Sequence, residues 1–393
     1  MIEDSAMLTR RAFLQAAAFG SAVAASFSPR ARAATGDQSM DLSADDLAHV
    51  RAIAAAFMTK YDVPGLSIAV AKNGTPEFAL AFGVADKARH EALTDTHLFR
   101  IASVSKPFTS ATIFALIEAG KLSAADRVFG PGAVLGTDFG GPPYKPHVAD
   151  LTIHHLLTHS AGGWQNDGTD PMFSNPRMNQ KQLIGWTIQN LPISNPPGTH
   201  YAYSNFGYCV LGRVIEKLTQ RPYADAVRAI VFEPCGIDGM RIAGNTLADR
   251  APHEVVYYGQ DNEDPYRMQV ARMDSHGGWL ASPRDLVKFL THVDGFPRPP
   301  DILSPSSIAA MTMPSEANAG YASGWAVNAE HNWWHNGSLP GTTTIMVRTS
   351  GGFCWAALTN TRRPNSSIGL DLDHMMWDVV RAVSAWPRTS SSL

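Results

Sequence analysis

A serine and a lysine three residues apart, Ser103 and Lys106, could carry out covalent chemistry together. Residues at this spacing project from one face of a helix, so the hydroxyl and the amine can come within hydrogen-bonding reach. A serine hydroxyl becomes a strong nucleophile when a base takes its proton, and a lysine whose pKa is lowered by burial can be that base. The pair therefore predicts nucleophilic catalysis by Ser103, although a helix cap followed by a solvated lysine would give the same pattern.

A tyrosine and an asparagine two residues apart, Tyr203 and Asn205, follow a Pro-Pro-Gly segment and precede an apolar run that starts at Phe206. At such a turn both side chains can face one cleft. We predict that Tyr203 passes a proton to the leaving group and that Asn205 holds Lys106 and the substrate in place. The structural alternative is a packed tyrosine with Asn205 as the N-cap of the next helix.

A third polar group, His335, Gly337 and Ser338, stands just before a strand-like run at 342–347. Glycine at a strand edge allows another backbone or an acyl group to approach closely. The amide N–H of Ser338, together with that of Ser103, is predicted to form an oxyanion hole. A glycine-rich connection with a surface histidine is the alternative here.

The elements that must position these groups can be predicted from periodicity. Between Ser43 and Tyr61 the apolar residues recur at spacings of three and four, which predicts a helix with Ser43 as its N-cap. Two apolar runs on either side of Asn73-Gly74 predict a β-hairpin. Further helical patterns lie at 108–118, 151–157, 206–218, 283–290 and 370–383, and strand-like runs at 66–71, 77–82, 324–327, 342–347 and 353–358.

Sheet-forming segments thus come from both ends of the chain, and the middle is mostly helical. We predict an α/β fold of the α+β type, in which one antiparallel sheet is flanked by the terminal helices and a helical part packs beside it. The α/β part is expected at about 41–102 and 271–386, and the helical part at about 103–270, within one catalytic domain of residues 34–393.

The first 33 residues are typical of a targeting segment. Arg10 and Arg11 precede an uncharged stretch, and the small residues Ala31 and Ala33 suit cleavage after Ala33. The pattern resembles a twin-arginine signal and predicts export to the periplasm or the medium. The stretch is short for a membrane span of about 20 residues. We therefore expect no stable membrane insertion after cleavage, with an uncleaved N-terminal anchor as the alternative.

The composition argues against several classes of function. The formal net charge is -3 without a long basic run, so nothing favours nucleic acid as a partner. Three cysteines, Cys209, Cys235 and Cys354, allow at most one intramolecular disulfide and have no metal-type spacing. His155 and His159 are four residues apart, but the residues between them lack the glutamate of a zinc hydrolase motif. We therefore predict no metal site.

In combination, the three groups resemble the Ser-x-x-Lys, Tyr-x-Asn and Lys/His-x-Gly elements of the penicillin-recognising serine hydrolases. These include class C β-lactamases, D-alanyl-D-alanine carboxypeptidases, family VIII esterases and other proteins with a β-lactamase-related domain. The stretches at 63–66, 156–162 and 277–282 are also similar to that family, over roughly residues 45 to 385. The resemblance implies a serine β-lactamase/transpeptidase-like fold, an acyl-enzyme on Ser103 that water hydrolyses, and no metal or organic cofactor.

One departure bears on the substrate. His335 and Asn336 stand where class C β-lactamases have lysine and threonine, so a permanent charge that helps bind the β-lactam carboxylate is missing. A neutral histidine favours small esters or D-amino-acid amides and peptides. A weak class C type β-lactamase and a non-catalytic cell-wall or peptide-binding protein are the alternatives. Six residues are predicted either to shape the acyl and leaving-group pockets or to pack in the core: Trp164, Gln165, Asn166, Trp279, Trp333 and Trp334.

Overall fold

The computed structural model describes residues 42–386, so the predicted signal at 1–33 lies outside the described residues. The strands are β1 (Gly65–Lys72), β2 (Thr75–Asp86), β3 (Glu91–Ala92), β4 (Phe99–Arg100), β5 (Arg241–Ile242), β6 (Tyr258–Gly259), β7 (Trp279–Ala281), β8 (Ala326–Val327), β9 (Trp333–Leu339), β10 (Thr342–Arg348), β11 (Phe353–Thr359) and β12 (Thr361–Arg362). The helices are α1 (Ala44–Tyr61), α2 (Lys106–Glu118), α3 (Ile153–Leu157), α4 (Pro171–Ser174), α5 (Gln180–Asn190), α6 (Asn205–Thr219), α7 (Tyr223–Val227), α8 (Asp274–Gly277), α9 (Pro283–Leu290), α10 (Pro305–Thr312) and α11 (Ile368–Ala382).

One seven-stranded sheet joins the two ends of the described chain, in the order β3-β2-β1-β11-β10-β9-β8. All of its neighbouring strands are antiparallel. Leu66 of β1 lies opposite Phe82 of β2 and Thr359 of β11. The prediction of an antiparallel sheet built from both ends of the fold is therefore confirmed, and two small sheets that were not predicted, β12-β6 and β4-β7-β5, accompany it.

The turn between β1 and β2 shows why the hairpin signal was reliable. Asn73 and Gly74 have φ angles of 50° and 80°, so both central residues adopt the left-handed conformation that a tight hairpin turn requires. A Cβ on Gly74 would also lie 1.7 Å from the carbonyl oxygen of Arg298. Glycine is needed at this position for both reasons.

The terminal helices cover one face of the sheet. Helix α1 begins as predicted, with the Ser43 hydroxyl accepting a hydrogen bond of 3.0 Å from the amide of Asp46. Apolar side chains from α1, the sheet and α11 form a common core on this face: Val50, Phe57, Ile68, Val70, Ile345, Trp355, Leu372 and Met376. Full burial of such a side chain contributes about 1.5–3 kcal/mol, so this face is a main source of stability.

The opposite face of the sheet packs on α9 and on the larger core that contains the remaining helices. Helix α2 runs through that core, and every residue from Lys106 to Phe114 is buried. A helix that is buried on all sides lies in the interior of a protein. The fold therefore carries the amine of Lys106 away from solvent.

Some predicted elements differ from the structure. The strand expected at 324–327 is reduced to β8, because Gly324 has a φ of 81° and its amide bonds to Leu157. Strand β9 was not predicted, and the middle part contains the short strands β5 and β6. All three cysteines are free and buried. In the part of the chain described, no helix is both long and apolar enough to cross a bilayer.

Candidate active site

Ser103 lies in a short 3-10 turn, Ala102–Ser105, directly before α2. The sequence predicted a helix at this point, and the tighter turn serves the same purpose. With about three residues per turn, side chains three positions apart lie directly above one another. The Oγ of Ser103 is consequently 3.0 Å from the Nζ of Lys106, and Ser103 is partly exposed while Lys106 is fully buried.

The residue before the serine has an unusual backbone conformation. Ala102 has a φ of 49°, which is the left-handed region that a residue with a Cβ adopts at a cost of about 1–3 kcal/mol. Its neighbour Ile101 donates its amide to the carbonyl of Trp279 at 3.0 Å and so ties the turn to β7. The hydrogen bond to β7 thus holds the strained turn in place.

Lys106 has three polar neighbours. Its Nζ is 3.0 Å from Ser103 Oγ, 2.9 Å from Asn205 Oδ1 and 3.0 Å from the carbonyl oxygen of His276. Burial lowers the pKa of Lys106 well below its usual value, and the nearby carboxylate of Asp170 opposes this only in part. A neutral amine has two hydrogens and one lone pair. When the neutral amine donates its two hydrogens to Asn205 Oδ1 and to the His276 carbonyl, its lone pair faces the Ser103 hydroxyl.

Asn205 is the first residue of α6 and not its N-cap. The cap is Ser204, whose hydroxyl accepts a hydrogen bond of 3.0 Å from the amide of Gly207. The alternative interpretation of Asn205 as an N-cap is therefore wrong. Its side chain is free to bridge two buried groups, with Oδ1 toward Lys106 and Nδ2 donating to Asp170 Oδ2 at 3.1 Å.

Tyr203 lies in the loop before α6, and its carbonyl accepts a hydrogen bond of 2.6 Å from the amide of Asn166. The Nζ of Lys106 is 4.7 Å from the centre of its ring, and the phenol hydroxyl faces Ser103. Burial raises the pKa of Tyr203 above its usual value. The phenol thus keeps its proton at neutral pH and is suited to donate it.

His335 lies on β9 with both ring nitrogens in contact with a polar group. Nδ1 is 2.7 Å from the carbonyl oxygen of Asn336, and Nε2 is 3.1 Å from the hydroxyl of Tyr321. A carbonyl only accepts, so Nδ1 carries the hydrogen and Nε2 accepts from Tyr321. Burial, together with the charge of Lys106, lowers the pKa of His335 to about 3, and the ring is neutral. No local sequence signal identified Tyr321.

Gly337 allows β9 to lie against the turn that carries the serine. A Cβ at this position would be 2.2 Å from the Ile101 carbonyl oxygen and 2.4 Å from Thr344 Oγ1. Beyond its first two residues, β9 pairs with no residue of β8, so this side of its backbone has no partner in β8 from His335 onward. Ser338 is exposed on this strand. The structure therefore brings Gly337 to the turn that carries the serine, while the oxyanion role of the Ser338 amide stays a prediction.

The six residues expected near the pockets fall into two groups. The four tryptophans pack in the protein: Trp279 against Phe232, Trp164 against Phe206, Trp333 against the Arg348 guanidinium, and Trp334 against the α1 and α11 core. The pocket interpretation is wrong for Trp279, which is fully buried. Gln165 and Asn166 are exposed beside Tyr203.

The histidines considered as metal ligands have other roles. His155 Nδ1 accepts a hydrogen bond of 3.2 Å from the amide of Thr152 and so caps α3. His159 is fully buried, with its ring 4.1 Å from that of Tyr203 and its Nδ1 accepting from Ser204 at 3.0 Å. Within residues 42–386, no three side chains of the metal-ligating types come together.

A polar cavity of about 490 Å³ lies at the end of β9, beyond Gly337. Its lining includes the ion pair of Arg362 with Glu263, and the Arg362 guanidinium also donates to Ser338 Oγ at 3.3 Å. The cavity therefore lies beside β9, β10 and the first turn of α11, and Ser103 does not line it.

Known proteins share this arrangement of elements. A family model described as Beta-lactamase matches residues 50–375. A beta-lactamase of Lysobacter lactamgenus is 28% identical over 249 residues, which cover 62% of this chain and 59% of that protein. Esterase EstB of Burkholderia gladioli is 31% identical over 227 residues, covering 53% of this chain and 54% of the esterase.

Among solved structures, the D-amino acid amidase from Ochrobactrum anthropi SV3, in complex with L-phenylalanine amide, has a TM-score of 0.71 at 22% identity. The match covers 86% of this chain and 98% of the amidase. At this identity the likeness concerns the fold, and it confirms the predicted serine β-lactamase/transpeptidase-like architecture. The two sequence relatives are matched over less than two thirds of their own length. Since the family model matches most of the described residues, the chain belongs to the beta-lactamase family within the serine hydrolase superfamily.

Proposed function

We propose that this protein hydrolyses small esters or D-amino-acid amides and peptides through an acyl-enzyme on Ser103. The observation that carries the proposal is the buried amine of Lys106, which lies 3.0 Å from the serine hydroxyl and whose pKa is lowered well below its usual value by burial. A neutral amine at this distance can take the proton of the attacking hydroxyl.

The first half of the reaction forms the acyl-enzyme. Ser103 Oγ attacks the carbonyl carbon while its proton moves to Lys106 Nζ, and the carbonyl oxygen becomes an oxyanion. The amides of Ser103 and Ser338 are proposed to donate to this oxyanion. As the bond to the leaving group breaks, the proton reaches that group by way of the Tyr203 phenol.

The second half releases the acid. A water molecule gives a proton to Lys106 and its oxygen attacks the acyl carbon. When the new intermediate collapses, the proton returns to Ser103 Oγ and the carboxylic acid leaves. The same base thus serves both halves of the reaction.

The strand side of the site supports the choice of substrate class. His335 is neutral, so β9 offers no permanent charge for a carboxylate next to the scissile bond. From His335 onward β9 has no pairing with β8, and its backbone groups on that side are proposed to bind an amide or an acyl chain. Similarity to an esterase and to the fold of a D-amino acid amidase supports the same range of substrates.

The test is turnover by the purified protein and its Ser103→Ala variant on p-nitrophenyl butyrate, a D-Ala-D-Ala peptide and a chromogenic cephalosporin. We expect Ser103-dependent turnover of the ester or the peptide and little of the cephalosporin. Fast cephalosporin turnover would favour a β-lactamase. Absence of turnover, with retained peptide binding by both proteins, would favour the non-catalytic alternative.

We also propose that the protein is exported through a twin-arginine signal. The support is the sequence of residues 1–33, with Arg10 and Arg11 before an uncharged stretch. Changing both arginines to lysine should leave the protein in the cytoplasm, whereas the parent should appear outside it in cell fractions, shortened to begin at Ala34. Equal distribution of the two proteins would contradict the proposal.

A further inference from the structure

Asp170 is a buried carboxylate that the reaction described above does not use. It precedes α4, its side chain has no exposed surface, and it is separated from Lys106 by a single side chain. Its Oδ2 accepts a hydrogen bond of 3.1 Å from Asn205 Nδ2, and its Oδ1 accepts one of 2.9 Å from the amide of Met172. Both carboxylate oxygens therefore have donors in the folded protein.

We propose that Asp170 is a positioning residue, which fixes the orientation of the Asn205 amide and thereby aims the lone pair of Lys106. The inference rests on the proposed hydrolase function. A carboxylate can only accept hydrogen bonds, so the nitrogen end of the amide must face Asp170. The oxygen end then faces Lys106, where it takes one of the two hydrogens of the neutral amine.

The opposite orientation of the amide would interfere with catalysis. The Nδ2 group of Asn205 would then donate to the lone pair of Lys106, and its oxygen would face the Asp170 carboxylate. The lone pair would no longer be free for the Ser103 proton. Mispaired polar groups are costly in a buried site, so an ionised Asp170 favours the productive orientation.

Protonation of Asp170 would remove this constraint, because a carboxylic acid can also donate to the amide oxygen. Burial raises the pKa of Asp170 to about 6, although its hydrogen bonds and the charge of Lys106 oppose the shift. The other charged and titratable groups around it are Asp167, Tyr203, Cys209 and Arg272. The contribution of Asp170 is thus present above about pH 6 and lost as the pH falls through that value.

The carboxylate also acts on Lys106 through its charge. A negative group nearby stabilises the ammonium form, and Asp170 accordingly raises the pKa of Lys106 against the effect of burial. Removal of this charge should lower the pKa of Lys106. This second effect can be measured without any substrate.

The test compares the full-length protein with Asp170→Asn, a variant of the same size and shape. Hydrolysis of p-nitrophenyl butyrate is followed from pH 4.5 to 9. We expect kcat to fall roughly 10- to 100-fold, as for a slightly misplaced catalytic group. In the parent we expect kcat to fall as the pH drops below about 6, and this part of the profile is called the acidic limb. In Asp170→Asn the acidic limb should disappear or move to lower pH. A merely structural role would lower stability but leave the position of this limb unchanged.

Asp294→Asn is the matched control. Asp294 is also fully buried, accepts a hydrogen bond of 2.8 Å from the amide of Phe296, and belongs to no part of the site. We expect this variant to lose stability and to keep the acidic limb of the parent. Asp170→Glu, which retains a carboxylate, should retain the limb at a reduced rate.

The activity-independent measurement is an NMR titration of the protein labelled at the lysine Cε carbon. Asp170→Asn should lower the pKa of Lys106, because the charge that stabilises its ammonium form is removed. An unshifted Lys106 titration, or a pH profile of Asp170→Asn that superimposes on the parent, would overturn this inference alone. Absence of Ser103-dependent turnover in the parent would instead overturn the proposed function. If Asp170→Asn does not fold, loss of the limb in Asp170→Glu would count against the inference.

Discussion

The two sides of the candidate site are built differently. The base side consists of Ser103, Lys106, Asn205 and Asp170, and its three inner side chains are buried and joined by hydrogen bonds of 2.9–3.1 Å. The strand side is β9, where buried His335 and Gly337 alternate with exposed neighbours. One side is buried, and the other presents the exposed side chains of Asn336 and Ser338.

This difference suits the two sides to different tasks, the proton transfers on the base side and the binding of substrate on the strand side. A buried network with every polar atom paired is rigid and holds one geometry, which a proton transfer requires. A strand edge without a partner strand has backbone N–H and C=O groups that can form hydrogen bonds with different ligands. We infer that the base side sets the reaction, while the strand side sets the choice of substrate.

The largest effect should come from the base side. Lys106→Met removes the proton acceptor, and we expect kcat to fall about 10⁴-fold or more on every substrate that the parent hydrolyses. Lys288→Met, at an exposed lysine of α9, is the control and should match the parent. Residual activity above one tenth of the parent would show that another group is the base.

The next largest effect should come from the close packing of β9 against the turn that carries Ser103. In Gly337→Ala the added Cβ would meet the backbone oxygen of Ile101 at 2.2 Å, so the strand or the turn must move. We expect a fall in kcat/KM of about 100-fold, as for a displacement of about 1 Å. Gly351→Ala, whose Cβ finds no atom closer than 3.8 Å, should have parental activity. Equal activity of the two variants would contradict the close packing of β9.

A third prediction concerns stability and pH. The pKa of His335 is about 3 in the folded protein, below the usual 6.5, because the buried ring excludes a proton that the unfolded chain binds. Its contribution to stability is therefore complete above pH 6.5 and lost as the pH falls. His335→Gln should reduce the slope of the unfolding free energy below pH 6.5 by up to about 1.4 kcal/mol per pH unit. Urea unfolding at pH 6.5 and 5.5 measures this slope.

The control for that measurement is His49→Gln, since His49 is exposed on α1. Its slope should equal that of the parent. A parental slope in His335→Gln as well would mean that the imidazole is charged or solvated in the folded protein.

The smallest effect should come from the hydroxyl that holds His335. Tyr321→Phe removes the hydroxyl that donates a hydrogen bond to Nε2 of His335. A hydrogen bond of this kind contributes about 1 kcal/mol, so we expect kcat/KM to fall about five-fold. Tyr144→Phe removes a hydroxyl that bonds to the carbonyl of Gly140, and it should have no such effect. A loss of 100-fold or more in Tyr321→Phe would place this tyrosine in the reaction itself.

The sequence was most informative where a local pattern determines the structure. The Ser43 cap, the Asn73-Gly74 turn and the periodic apolar residues of the terminal helices each act within a few positions. From these signals the architecture of the sheet and its terminal helices could be predicted. The three polar motifs likewise identified residues that the fold brings together.

The parts that were missed depend on distant contacts. Strand β9 contains Asn336 and Gly337, which are poor strand formers, and it is a strand because β10 pairs with it. Asp170 and Tyr321 are single residues in loops, and only folding brings them to Asn205 and His335. No spacing in the sequence marks such positions.

The most direct test of the central claim is to identify the acylated residue. The protein is mixed with p-nitrophenyl butyrate, quenched in acid within one turnover, digested and analysed by mass spectrometry. We predict one butyryl group on the peptide that contains Ser103, and none in the Ser103→Ala variant. A butyryl group on any other residue, or turnover without a covalent intermediate at Ser103 under any quench time, would contradict the proposed mechanism.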